Sequence, residues 1–189
     1  MTVLELFRYC KDKLYFTDSP EFDTICIFED LLGIPKSKVY FNDISVSSEQ
    51  INTIDNVINR RKNGEPLQYI LGKWDFYDLT FNVGAGVLIP RPETETLVDF
   101  ALDNLKKVEN PIAFDLCAGS GCIGLTVAKH LPDATVYLFE KEDKAYSYVI
   151  DENKISPLAY RSISREEYDA NYSFESIDFT HFMPLGNNT

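Results

Sequence analysis

The chain has 189 residues, 44% of them hydrophobic and 13% aromatic, which is enough apolar side chain for one medium domain or two small ones and excludes a disordered polypeptide. Thirty acidic residues against 18 basic ones leave a net charge of −12, which argues against a general grip on nucleic acid and against direct DNA binding. Cys10, Cys26, Cys117 and Cys122 form no CxxC pair and accompany two histidines, so no metal site is expected and reduced thiols in a cytoplasmic setting are.

The start, MTVLELFRYCKDK, is amphipathic and carries acidic residues, unlike a secretion signal, and no apolar run approaches the ~20 residues of a membrane helix. Residues 1–72 read as helical throughout. Val3, Leu4, Leu6, Phe7, Cys10 and Leu14 recur at helical spacing. Ser19-Pro20-Glu21 reads as an N-cap followed by proline at the first helical position, with Phe22, Ile25, Cys26 and Leu32 as the buried stripe and Gly33 as the stop. A short helical turn is expected around Lys36–Tyr40. Ser47-Ser-Glu-Gln50 has the form of a capping box, and Ile51, Ile54, Val57 and Ile58 line one face until Asn63-Gly64. This bundle carries no acid–base pair, so its expected work is to bind a partner.

Trp74–Val83 alternates apolar and polar residues as a β-hairpin does, with Asp78 near its turn. Val87-Leu-Ile89 then leads into Pro90-Arg-Pro-Glu-Thr-Glu95, where two prolines hold the loop extended around Arg91. From Glu93 or Thr94 a helix should run to Lys107, with Leu97, Val98, Ala101, Leu102 and Leu105 facing inward. Arg91, Glu93 and Glu95 could simply cap that helix. Their stiffness just before the next segment suggests instead the wall of an active site.

That next segment, Ile112–Glu140, organises the rest of the chain. Ile112-Ala-Phe114 is a short apolar run ending at Asp115, as in a buried strand of a parallel sheet. Gly119-Ser-Gly121 makes a tight turn, Ile123, Leu125, Val127, Ala128 and Leu131 continue as a helical face, and Thr135–Phe139 reads as a second strand ending at Glu140. A strand, a glycine turn, a helix and a strand with an acidic end form a βαβ unit suited to a nucleoside-containing cofactor. Glycines admit positive φ and close approach of a ligand, and free N–H groups at a helix start attract an anionic group. An acid where Glu140 stands can accept both hydroxyls of a ribose. Gly119-x-Gly121-x-x-Gly124 also satisfies the dinucleotide fingerprint, so a nicotinamide-dependent oxidoreductase competes. Asp115 tilts the reading towards S-adenosylmethionine, because a carboxylate at the strand tip suits an ammonium and a sulfonium and would repel a pyrophosphate. Cys117 and Cys122, flanking the turn, read as small packing residues. Residues 141–189 are polar and aromatic with no clear strand followed by a helix, although Asp143–Val149 reads as the helix after Glu140.

The runs Arg61-Lys-Asn-Gly-Glu-Pro-Leu-Gln-Tyr-Ile-Leu-Gly72, Gly86-Val-Leu-Ile-Pro-Arg-Pro-Glu-Thr-Glu95 and Asp115-Leu-Cys-Ala-Gly-Ser-Gly121 together resemble the release-factor glutamine methyltransferases. The resemblance covers about residues 1–150. It implies an α/β protein: an N-terminal helical bundle over 1–72 that binds partner or substrate, a β-hairpin linker over 73–90, and a partial Rossmann-like class I methyltransferase domain over 91–155. Residues 156–189 would be a tail of uncertain fold. The implied activity is transfer of a methyl group from S-adenosylmethionine to the side-chain amide of the glutamine in the Gly-Gly-Gln motif of a peptide-chain release factor, in the cytoplasm. By position, Cys117, Ala118, Gly119, Ser120 and Gly121 would wrap the methionine part of the cofactor, Glu140 would hold the ribose and Asp115 would face the ammonium, with Arg91, Glu93 and Glu95 bordering the site.

Two departures stand out. The family more often has glycine and threonine where Cys117 and Ala118 stand, a mild change. Its Asn-Pro-Pro-Tyr signature, which aims the weakly nucleophilic amide nitrogen through two acceptors, has no counterpart: the chain contains no Pro-Pro pair, and Asn110-Pro111 precedes the cofactor strand. No residue is therefore assigned as catalytic. Too few residues follow Ile112 for seven strands at ~30 residues per βαβ unit, so a truncated or divergent member is expected. A non-catalytic release-factor-binding module and a relative of the adenine-N6 DNA methyltransferases are the competing readings.

Overall fold

The computed structural model of the chain describes residues 1–150 and 160–163. Backbone contacts divide it into two compact units, Met1–Trp74 with Val83–Ala85, and Asp75–Asn82 with Gly86–Thr189.

In the first unit, α1 (Val3–Lys13) begins with a full capping box: the Thr2 hydroxyl accepts the Glu5 N–H, and Glu5 in return accepts the Thr2 N–H. It buries Val3, Leu6, Phe7 and Cys10. In α2 (Pro20–Leu32), Pro20 takes the first helical position as expected, but the Ser19 side chain makes no capping bond. Its buried stripe is also displaced from the expected one. Thr24, Ile27 and Phe28 are fully buried, whereas Phe22 is 51% exposed and packs edge-on against Trp74. The spacing was helical on either register; the partner decided the face, because Thr24 can turn inward by donating its hydroxyl to the Pro20 carbonyl (2.7 Å). Gly33 ends the helix at φ +64. A 3-10 turn over Lys36–Lys38 follows.

The Ser47–Gln50 capping box is present at the start of α3 (Ser48–Lys62), which buries Ile54, Val57 and Ile58. Sequence patterning did not separate α4 (Leu67–Leu71) from the run around it, since five residues span little more than one turn. Its entry is braced by the preceding motif. Arg60 pairs bidentately with Glu65, and Arg61 donates to both the Glu65 carbonyl (2.8 Å) and Asp23 of α2 (3.1 Å). Pro66 and Gly72 bound the helix, the latter at φ +76. Much of the RKNGEPLQYILG run is thus a structural clasp joining α2, α3 and α4.

The hairpin consists of β1 (Lys73–Phe76) and β2 (Leu79–Asn82) joined through Tyr77-Asp78, as the alternation predicts, with Tyr77 at φ +58. In the second unit, Pro92–Thr94 forms a 3-10 turn that runs into α5 (Glu95–Leu105). Val98 and Leu102 are buried, but Leu97, expected to face inward, is 50% exposed. Ala101 and Leu105 pack against the same core as expected, so Leu97, at the edge of the stripe, is the one residue of the expected face that turns out.

The central sheet has the order β3-β4-β5 and is parallel, with β3 at Ile112–Leu116, β4 at Thr135–Phe139 and β5 at Tyr160–Ile163. Ile112 pairs with Thr135 and Leu116 with Phe139; Val136 pairs with Tyr160 and Phe139 with Ile163. Helix α6 (Cys122–His130) connects β3 to β4, and α7 (Asp143–Ile150) follows β4. The strand β5 lies in a stretch where the sequence showed no clear strand, since Tyr160-Arg-Ser-Ile163 is half polar; the rest of 156–189 and residues 151–155 lie outside the described residues. Val136 and Leu138 of β4 pack with Leu125, Val127 and Ala128 of α6, together with Phe76, Phe81, Val98 and Leu102. The strand β3 is not buried on both faces as its apolar run suggested. Ile112 is 54% and Leu116 42% exposed, while Ala113 faces the core. No helix among the described residues is long and apolar enough to cross a membrane.

Candidate functional site

The site is assembled at the tips of β3 and β4. The chain leaves β3 through Cys117 at φ +62, Gly119 at φ +60 and Gly121 at φ +77. Three left-handed residues in five reverse the chain within one turn, and the Gly121 N–H closes it onto the Ala118 carbonyl (2.8 Å). Gly121 is then the N-cap of α6. A β-carbon on Gly121 would press on Leu125 and Leu138 at 3.0 Å, so this glycine packs the turn against the sheet. One on Gly119 would meet only Val87, at 3.8 Å. Space therefore remains beside Gly119, as a ligand cradle requires.

Two carboxylates fasten the turn. Glu140, just past β4, accepts the Gly119 N–H on Oε2 (2.8 Å) and the Glu142 N–H on Oε1 (2.9 Å). Asp115 Oδ2 accepts the Gly124 N–H (2.8 Å). Gly124 is the third residue of α6, so Asp115 caps from across the fold a donor that the helix leaves unpaired. The contact demands a glycine: a β-carbon on Gly124 would stand 2.9 Å from Asp115 Oδ2, 3.0 Å from Asp115 Cβ and 3.1 Å from Leu138 Cγ. Gly124 is the site residue to which the sequence assigned no task beyond completing the GxGxxG pattern; that pattern was its signal, as the glycine that lets helix and strand approach.

Asp115 is held at an electrostatic cost. Burial pushes its carboxyl up to about 6, the Gly124 N–H pulls in the opposite direction, and the charge of Glu140 raises it further. A capping bond and a helix start normally lower a carboxyl pKa; here desolvation wins. A half-buried carboxylate so destabilised is a frequent mark of a binding site.

The other expected residues fall as follows. Ala118 and Ser120 are buried within the turn. Cys122 is buried, and its thiol is raised chiefly by that burial, which suits a packing residue. Cys117 is exposed instead, lifted off the core by its left-handed backbone. Arg91 and Glu93 are exposed on their loop. Glu95 accepts the Tyr77 N–H (2.8 Å), while the Tyr77 hydroxyl donates to Asp99 (2.7 Å). Glu95 thereby ties the hairpin turn to α5. The same turn is held to the end of α6 by Asp78, which Lys129 (2.9 Å) and His130 (2.9 Å) together hold down at about 2. Among the described residues no group of three His, Cys, Asp or Glu side chains could hold a metal ion.

A parallel βαβ unit whose glycine turn is flanked by acids at two neighbouring strand tips, preceded in the chain by a helical unit, makes this an α/β protein with its candidate site at the strand ends. Comparison with known proteins narrows this. Residues 5–72 match the family model described as the PrmC N-terminal domain. A release factor glutamine methyltransferase of Thermodesulfovibrio yellowstonii is 40% identical over 160 residues, covering 84% of this chain and 56% of the relative. Proteins of the same name from Fusobacterium nucleatum (40% over 139 residues, 72% of this chain and 39% of the relative) and Bifidobacterium longum (34% over 174 residues, 89% and 58%) also match. The chain belongs to the release factor glutamine methyltransferase family, and its mixed helix-and-strand fold fits a partial methyltransferase fold. It spans about half the length of the relatives it matches.

Proposed function

We propose that this chain supplies the S-adenosylmethionine-binding half and the partner-binding helical unit of a methyltransferase acting on the glutamine amide of the Gly-Gly-Gln motif of a peptide-chain release factor. The observation that carries the reading is the pair of acids, Asp115 and Glu140, each bonded to a backbone N–H of the segment that starts α6. The residues fit the cofactor. Gly119 opens beside the turn, Glu140 keeps lone pairs for ribose hydroxyls after accepting its two N–H groups, and Asp115 offers a carboxylate for an ammonium. When bound, S-adenosylmethionine supplies an electrophilic methyl group on a sulfonium. The turn Cys117–Gly121 would wrap its methionine part and fix its orientation, which is the protein's main contribution to a direct transfer. The helical unit Met1–Trp74 would recognise the release factor.

One observation favours a second reading. The chain has no Pro-Pro pair and hence no Asn-Pro-Pro-Tyr signature to orient the amide nitrogen. On that reading the chain by itself is a release-factor-binding module without turnover. Calorimetric titration with S-adenosylhomocysteine tests the first reading. Micromolar binding that a Gly119→Arg variant abolishes supports it; equal binding by both, or by neither, overturns it. Binding of release factor that persists in a Glu140→Ala variant, without methyl transfer, selects the second.

A further inference from the structure

The space beside Gly119 is bounded by segments far apart in the chain. Gly119 donates its N–H to Glu140, and the other oxygen of Glu140 accepts the Glu142 N–H at the entry to α7. Two residues further on, the Lys144 side chain lies across the backbone of Gly86. A β-carbon on Gly86 would stand 2.8 Å from Lys144 Cδ, 3.3 Å from Cγ and 3.4 Å from Cε, so three consecutive carbons of the stem run past this one position. Gly86 also has φ +103, a conformation that L side chains rarely adopt. Val87 follows it directly and is buried, and its Cγ2 is the atom that a β-carbon on Gly119 would meet. The contacts thus close into a ring: Gly119 to Glu140, Glu140 to Glu142, Lys144 to Gly86, and Val87 back to Gly119. Every member belongs to the second unit.

We propose that Lys144 is a positioning residue of this site: its stem, laid on Gly86, holds Val87 as the apolar wall of the space beside Gly119 in which the ligand binds. Lysine side chains commonly bury their methylenes along other groups and leave the charged head in water. Lys144 does so here, since its residue is exposed and its ammonium pairs with no carboxylate among the described residues. What it brings to the ring is therefore the stem, and bare backbone at position 86 is what lets the stem lie so close. The wall complements Glu140. Glu140 offers acceptors for hydroxyls, and Val87 offers an apolar surface for the thioether or sulfonium chain of the same ligand. This inference rests on the S-adenosylmethionine reading of the site.

The test is calorimetric titration of the purified 189-residue chain and its variants with S-adenosylhomocysteine, with the Val87 methyl resonances followed by NMR. In the parent those methyls should shift when the ligand is added. Lys144→Ala removes the stem, and affinity should fall about fivefold or more while the urea unfolding midpoint stays unchanged. Lys144→Met keeps an unbranched stem without the charge and should recover most of the lost affinity, which a role for the ammonium would not allow. Gly86→Ala breaks the same contact from the other side, so the Gly86→Ala/Lys144→Ala double variant should bind no more weakly than the weaker single variant. Parent-like binding by Lys144→Ala, a Lys144→Met variant as weak as Lys144→Ala, additive losses in the double variant, or Val87 methyls that ignore the ligand would each overturn the proposal. An affinity loss matched by a fall in the urea midpoint would reduce Lys144 to a structural residue and overturn it too. A parent chain that does not bind S-adenosylhomocysteine would overturn the proposed function and this inference with it. A parent that binds, with variants that bind alike, would overturn this inference alone.

Discussion

Replacing Asp115 by asparagine separates what this residue costs the fold from what it gives the site. The carboxyl rises from its ordinary 3.8 to about 6, with burial as the main cause. A folded-state pKa above the unfolded value means that protonation favours the native state. The stability linked to this group is complete below about pH 4 and is lost as the pH rises through about 6. A rise of that size corresponds to at most about 3 kcal/mol at pH 7; because the residue is only half-buried, water screening reduces this to about 1–2 kcal/mol. Asparagine keeps an oxygen to accept the Gly124 N–H and removes the charge. The variant should therefore be more stable than the parent by about 1–2 kcal/mol at pH 7, with the gap closing by about pH 4.5. Urea unfolding monitored by hydrogen exchange over 112–140 at both pH values measures it. The same substitution should weaken S-adenosylhomocysteine binding at least fivefold, since the ammonium loses its counter-charge. A variant that is less stable at pH 7, or whose advantage is the same at the lower pH, would refute the claim that burial of this charge outweighs its capping bond.

Gly124→Ala should lose about 1–3 kcal/mol in thermal unfolding, because the close approach to Asp115 and Leu138 outweighs the roughly 1 kcal/mol that alanine normally adds to a helix interior. Glu140→Gln keeps one acceptor for the Gly119 N–H, so circular dichroism melting should change by less than about 1 kcal/mol while S-adenosylhomocysteine affinity falls about tenfold. Thr2→Ala removes the capping box of α1 and should cost the first unit about 1 kcal/mol by urea unfolding, without altering cofactor affinity, since Thr2 belongs to the other unit.

Local chemistry was enough to establish much of this protein. Capping residues and apolar spacing located α1, α3, the hairpin and α6, and the alternation of strand, glycine turn, helix and strand between Ile112 and Glu140 located the βαβ unit that carries the candidate site. Those features are short-range, so the sequence carries them directly. Faces and partners were decided only in three dimensions. Phe22 and Leu97 lie on helices that the spacing predicted, yet are half-exposed, because how far a buried stripe extends depends on what packs opposite. The half-polar strand β5 exists because β4 offers it a parallel edge, a long-range pairing with no local signal. Glu95, which read as part of an active-site wall, is bound to the hairpin turn eighteen residues earlier. Above all, Asp115 and Gly124 are nine residues apart in the chain, on a strand and a helix that each could form alone. Only their packing places a carboxylate on an unpaired helix donor, leaves no room for a β-carbon, and drives that carboxyl up towards neutrality.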